Sequence, residues 1–420
     1  MRVTVLGAGV AGIATAYYLR EAGHQVTVID RQAGPALETS FSNAGHVCPS
    51  YATPWAAPGM RFKAAKWSLQ AWLGMDTALR FTPRLDAHQW RWLKRFLGEC
   101  DAAHYAVNKA RMGRIARYSH TQLKALRERL ALDYEQTTSG NLQVFRDQAG
   151  LDNAQLAVKV LADAGVPHRL MNVDECVAFE PALLPTREQI VGGLLLPADE
   201  TGNCQVFTSK LADWLAGQGV QFRYSTAIDG INAVGGQVSV MAGGAPLAAD
   251  AYVLSCASAS VALARPLGLD LPIYPVKGYA ITVPVTRPDL APQSGIMDEA
   301  LKVAIARMGD KIRAAGTAEI GARDASVTKA ACATTIKSVA TLFGEGVDMA
   351  RAQYWAGLRP MTPDGAPIVG KTRFDNLFLA TGGGSNGWTT ACGIGRVTAD
   401  IVSGKAPEID TADLGVARYA

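Results

Sequence analysis

Residues 2–30 read RVTVLGAGVAGIATAYYLREAGHQVTVID, and the fold turns on them. Arg2 to Leu6 is a short β-branched run suited to a buried strand, and it ends at Gly7-Ala8-Gly9-Val10-Ala11-Gly12. Ile13, Ala16, Tyr17 and Leu19 are spaced to bury one face of a helix that Gly23 stops. Gln25 to Ile29 is a second strand, delivering Asp30 at its end, 18 residues after Gly12. In such a unit Gly7 makes the tight turn, Gly9 lets backbone approach a pyrophosphate, and Gly12 lets helix pack on strand. The diphosphate then meets the unpaired N–H groups of Val10, Ala11 and their neighbours at the positive helix end, while Asp30 accepts from a ribose hydroxyl. An acid rather than an arginine at that place favours an adenosine with a free 2′-hydroxyl, which means FAD or NAD.

The 420 residues suffice for two or three domains, and 49% hydrophobic with 19% charged residues describes a globular chain. A net charge of +4 is too small to suggest a nucleic-acid partner. Its distribution is uneven: between Met60 and Leu130 there are 15 Lys/Arg against 5 Asp/Glu, together with four of the eight tryptophans. The seven cysteines are scattered without a CxxC pair, which fits a reducing compartment and neither a disulfide framework nor a metal site. A strand starting at residue 2 leaves no room for a signal peptide, and no apolar run is long enough to cross a bilayer, so a cytoplasmic location is expected.

After Asp30 the chain is polar, small and punctuated by glycine. Arg31, Thr39, Ser40, Asn43, Ala44 and Gly45 are its candidate ligand contacts, although a surface loop has the same composition. The run Glu38–Gly59 (ETSFSNAGHVCPSYATPWAAPG) resembles the bacterial D-amino-acid dehydrogenase small-subunit family, within the FAD-dependent D-amino-acid oxidase and glycine oxidase superfamily. The likeness recurs in order at Asp199–Gln205, Pro275–Tyr279, Gly357–Gly365 and Thr381–Gly395, and so spans nearly the whole chain. It implies an α/β protein in which a Rossmann-like FAD-binding domain (1–59, 180–265, 350–420) interleaves with an α+β substrate domain on a mostly antiparallel sheet (60–179, 266–349). It also decides FAD over NAD, which spacing left open.

Several elements follow in order. Residues 60–130 read as helices in which Trp67, Leu69, Trp72, Trp90, Trp92, Leu93, Phe96 and Leu97 interleave with Lys66, Arg91, Lys94 and Arg95. Cations and indoles together suit an interfacial membrane helix, while helices packed over the flavin domain with a solvated basic face would read the same. The resemblance adds weight to a peripheral enzyme on the inner face of the bacterial inner membrane, passing electrons to a quinone or another respiratory carrier. Ala251–Ser255 reads as a buried strand that, by resemblance, returns to the parallel sheet beside the cofactor, followed by Ala257 where the family usually has glycine. Ile273–Val285 and Lys302–Ala314 read as long strands, with Asp298 and Glu299 in a loop between them and Gly316–Glu319 closing the pair. Residues 326–343 read as a helix. Asn376–Ala380 is a last strand, and Gly382, Gly384, Asn386, Gly387 and Trp388 lead into a second glycine-headed helix whose N-terminus can face the flavin pyrimidine.

A flavin takes hydride at N5, so the protein must position a substrate carbon and bind its polar ends. Arg359, stiffened by Gly357 and Pro360, is the candidate carboxylate clamp, and by resemblance it is the superfamily's anchor. Tyr279 is a candidate hydroxyl donor, and His46 and Tyr51 are expected near the isoalloxazine. The resulting expectation is oxidation of D-amino acids to 2-oxo acids and ammonia. Two other readings remain at this stage: a related oxidoreductase for glycine, N-methyl amino acids or hydroxyproline, and a non-catalytic flavoprotein scaffold at the membrane surface.

Overall fold

The computed structural model describes residues 1–64, 66, 77–322 and 324–419. Arg2–Leu6 pairs in parallel with Gln25–Ile29 on one side and Ala251–Leu254 on the other. The sheet is completed by Leu377–Thr381 and Ile368–Lys371 beyond Ala251–Leu254, and by Gln221–Arg223 beyond Gln25–Ile29. Ile368–Lys371 is its one antiparallel strand. Val3, Val5, Val26, Val28 and Val253 face the helices Val10–Glu21, Cys204–Gly217 and Gly387–Val402. Leu6, Ile29 and Leu254 point the other way, onto a small sheet through Ile231, Val238 and Val240. Coverage on both faces is why these strands carry β-branched and apolar residues on both sides, with Thr4 buried among them.

The helices approach closely because glycines face them. A Cβ at Gly395 would lie 2.7 Å from the carbonyl carbon of Ala14, and one at Gly393 would lie 3.0 Å from Ile115 O on the long helix Ala102–Leu130. These contacts draw together Val10–Glu21, Gly387–Val402 and Ala102–Leu130.

The second sheet runs in the order Gln353–Met361, Tyr274–Pro284, Lys311–Ile320, Val303–Met308, Gly295–Asp298, Asn141–Phe145, Gly192–Leu196 and Arg169–Met171, with Leu79–Phe81 pairing Lys311–Ile320. It is antiparallel except for two pairs, Gly295–Asp298 with Asn141–Phe145 and Leu79–Phe81 with Lys311–Ile320. Ile281, Ile296, Ile305, Ile312 and Ala314 fill one face beneath the helix Ala333–Phe343. The other face is turned to a cavity.

The expected elements change in four places. Lys302–Ala314 is not one strand: it breaks at Gly309, whose φ of +60° turns the chain into a hairpin, and Gly316–Glu319 lies inside the returning strand. Asp298 ends the strand Gly295–Asp298 rather than lying in a loop, and its buried carboxylate accepts from Arg146 and Ser338, each at 2.6 Å. The expected helix over 326–343 begins only at Ala333, after a tight turn at Lys329–Cys332. Gly192–Leu196 and Gln353–Met361, placed by sequence in the cofactor-binding segments, belong to the second sheet because an apolar run does not declare which sheet it joins. Trp67, Leu69 and Trp72 lie outside the described residues.

Candidate active site

The cavity between the two sheets has a volume of ≈ 1020 Å³, at the upper end of small-molecule sites. Two glycine-headed helices line it, one at Gly9, Val10 and Ala11, the other at Gly387 and Trp388. Thr39, Ser40, Asn43, Ala44, Gly45, Gly382, Gly384 and Asn386 line it as well. The three glycines of the first turn differ in what constrains them. A Cβ at Gly7, where φ is +112°, would fall 2.5 Å from Ser255 O, and one at Gly12 would fall 2.0 Å from Gly7 O. Protein packing therefore demands both. At Gly9 a Cβ would meet only Ser40 Oγ, at 3.4 Å, and at Gly387 nothing within 4 Å. Their missing side chains leave backbone open to the cavity, as a bound diphosphate or ring edge requires.

Gly7, Gly12, Asp30 and Arg31 stand behind this lining rather than in it. Asp30 Oδ2 accepts from Ala8 N–H at 2.7 Å and Oδ1 from Gln32 N–H at 2.8 Å, while Arg31 pairs with Glu38 at 2.6 Å. Each Asp30 oxygen keeps a lone pair after these bonds. Val10 N–H donates to Ser40 Oγ at 3.1 Å, tying the loop to the helix start.

Arg359 lines the same cavity, from Gln353–Met361 of the second sheet. Its guanidinium rests on Gly278, where a Cβ would come within 2.6 Å of Nε and Nη2. Thr39 donates to Leu358 O at 2.8 Å, joining the cofactor-side loop to the backbone next to Arg359. The guanidinium makes one long hydrogen bond, Nη2 to Gly316 O at 3.4 Å, and its Cζ lies 5.8 Å from the Trp55 ring centroid. Among the described residues no carboxylate lies within 4.0 Å of it. Burial pushes its pKa down to about 10, so it stays charged at neutral pH. A desolvated cation without a counter-ion is unfavourable until an anion enters.

The other expected groups sit differently. Tyr279 adjoins the cavity, but its ring packs with Ile281 in the core and its hydroxyl already donates to Glu319 Oε2 at 2.6 Å. His46 lines the cavity, but both ring nitrogens are engaged. Nε2–H donates to Ile305 O at 3.0 Å and Nδ1 accepts from Asn141 Nδ2 at 3.2 Å. Desolvation, only partly offset by the Ile305 bond, lowers its pKa and keeps the ring neutral. Tyr51 is half-exposed at the rim, donating to Glu299 Oε1 at 3.2 Å beside the Glu299–Lys302 ion pair. Sequence reasoning missed Gly278, Trp55 and Trp355 as cavity residues; the signal was the small-aromatic spacing of Trp355-Ala356-Gly357 just ahead of Arg359.

Residues 2–401 match the family described as FAD dependent oxidoreductase. D-amino acid dehydrogenase of Xanthobacter autotrophicus is 49% identical, covering 100% of this chain and 99% of the relative. The protein of the same name from Agrobacterium fabrum is also 49% identical, with both chains covered in full, 100% of each. This chain belongs to the D-amino-acid dehydrogenase family of FAD-dependent oxidoreductases. Glycine oxidase from Geobacillus kaustophilus superposes with a TM-score of 0.75 at 21% identity, over 100% of this chain and 99% of that one, which speaks for the fold. L-proline dehydrogenase from P.horikoshii does so with a TM-score of 0.73 at 15% identity, over 100% of this chain and 97% of that one.

The family's cofactor is FAD, and the glycine geometry separates packing from ligand binding. Gly9→Val is expected to leave the apoprotein melting temperature within about 2 °C of the parent while sharply reducing retained FAD. Gly12→Val is expected to lower both, because its side chain collides with Gly7. Calorimetry of apoprotein beside flavin content after gel filtration checks the pair; a Gly9→Val protein that keeps its FAD would contradict the assignment.

Proposed function

We propose that this chain oxidises D-amino acids to imino acids, which water hydrolyses to 2-oxo acids and ammonia, with Arg359 as the carboxylate anchor. The observation that carries the reading is the partly buried Arg359 guanidinium, free of any carboxylate among the described residues and lining the cavity. A guanidinium fork matches a carboxylate bidentately, and the apolar surroundings strengthen the pair. FAD, when bound, supplies the hydride acceptor at flavin N5. The N–H groups at Gly9–Ala11 would hold its diphosphate, the lone pairs that Asp30 keeps behind the lining would be available to a ribose hydroxyl, and the helix starting at Gly387 would offer its positive end to the flavin. An amino acid with a neutral amine gives up its α-hydride without a base, and His46, neutral and held at both nitrogens, is a fixed wall rather than a proton carrier.

Arg359→Ala is expected to lower kcat/KM for D-amino acids by at least about two orders of magnitude with FAD retained, since breaking such a pair costs about 2–5 kcal/mol. Arg359→Lys should recover part of that, because an ammonium cannot form the fork. Steady-state kinetics with an artificial dye acceptor checks both. Activity of Arg359→Ala within about threefold of the parent would place the clamp elsewhere.

The electrons leave to a quinone or another membrane carrier, with this chain resting on an anionic bilayer. Supporting this, the cavity reaches Met60, Trp90 and Leu97, next to exposed Phe62 and Leu85 and to exposed Arg61, Lys63, Arg91 and Lys94. Large apolar side chains among cations suit head groups and the acyl boundary. No helix among the described residues is long and apolar enough to cross a membrane. The protein is expected to sediment with anionic vesicles at low salt and to be released near physiological ionic strength, where the Debye length is about 8 Å. Indifference to vesicles at low salt would return these side chains to a solvated surface.

A further inference from the structure

Five residues on five neighbouring strands of the second sheet stand in one cross-strand row: Trp355, Ala280, Ala315, Ala304 and Met297. Successive side chains on a strand alternate between faces. Their chain neighbours Ile281, Ala314, Ile305 and Ile296 are fully buried in the core on the opposite face, so this row points to the cavity, and all five line it. Three consecutive alanines on adjacent strands make a floor about 10 Å across. Trp355 closes it at one end and Met297 at the other.

The trough begins beside the anion site. Arg359 rests on Gly278, and Gly278 and Ala280 are two residues apart on one strand, about 7 Å along it. With its carboxylate on Arg359, a substrate has its α-carbon near the start of the alanine row and its side chain free to run along it. The floor carries no polar side chain, so a charged or hydroxylated group lying there would lose water without gaining a partner.

We propose that this trough is the substrate side-chain pocket, and that the enzyme prefers D-amino acids with large apolar side chains, aromatic or branched aliphatic, over D-alanine. The proposal rests on the reading of Arg359 as carboxylate anchor and adds the substrate class. A small side chain leaves the alanine floor uncovered, while each buried methylene adds roughly fourfold to binding.

The test uses the FAD-loaded enzyme with a dye acceptor and compares kcat/KM for D-phenylalanine, D-leucine, D-serine and D-alanine. D-phenylalanine and D-leucine are expected to exceed D-alanine and D-serine by at least about tenfold. In Ala315→Leu the ratio of D-phenylalanine to D-alanine should fall by at least about tenfold, because the added side chain fills the middle of the floor. Ala304→Val, a smaller change one strand away, should lower the same ratio in the same direction and serves if Ala315→Leu does not fold. A parent preference for D-alanine or D-serine would overturn the proposal while leaving the anchor standing. So would an unchanged ratio in a variant that keeps its flavin. Failure to oxidise any D-amino acid would remove the underlying reading, and the trough with it.

Discussion

A guanidinium partly withdrawn from water without a carboxylate is unfavourable, and the cavity is lined by one. Four other partly buried arginines are paired with carboxylates: Arg127 with Glu200, Arg146 with Asp298, and both Arg111 and Arg418 with Asp364, while among the described residues Arg313 meets only Thr282 and Asn203. Arg359 has a weak bond to Gly316 O and an indole nearby instead. Its place is nevertheless fixed. Gly278 leaves room for the planar group, and Thr39 holds the adjoining backbone. Such a rigid, unpaired cation is a preformed half of an ion pair, with its ordering cost met in folding rather than in binding.

The same economy of space governs the cofactor end. Gly7 and Gly12 let the first strand, its helix and the strand Ala251–Leu254 close upon one another, and Gly395 lets the second glycine-headed helix lie against the first. That packing brings two helix N-termini onto one cavity and aims them from different parts of the chain. Ala257 adopts φ +48° three residues after Ala251–Leu254, so a left-handed turn there is held by a residue that bears a Cβ.

Local structure was legible in the sequence and long-range register was not. The unit from Arg2 to Asp30 could be read because every part lies within thirty residues and each glycine answers a local demand. Arg359 could be found because Gly357 and Pro360 mark its neighbourhood. The partner of the Tyr279 hydroxyl was hidden for a reason of parity: one step along a strand reverses the face, and nothing in Lys277-Gly278-Tyr279 says that the ring packs toward Glu319. The alanine row was invisible for the same reason, since Ala280, Ala304 and Ala315 become neighbours only through pairing across strands. His46 lines the cavity, and its fixed ring depends on Asn141 and Ile305, far away in sequence.

The central claim is that Arg359 waits for a carboxylate, and anaerobic reduction of the bound flavin tests it most directly. The FAD-loaded protein should lose its visible flavin absorbance on addition of a D-amino acid, whereas the amine lacking only the carboxylate should leave the yellow colour in place at the same concentration. Bleaching by the decarboxylated amine as readily as by the amino acid would contradict the account.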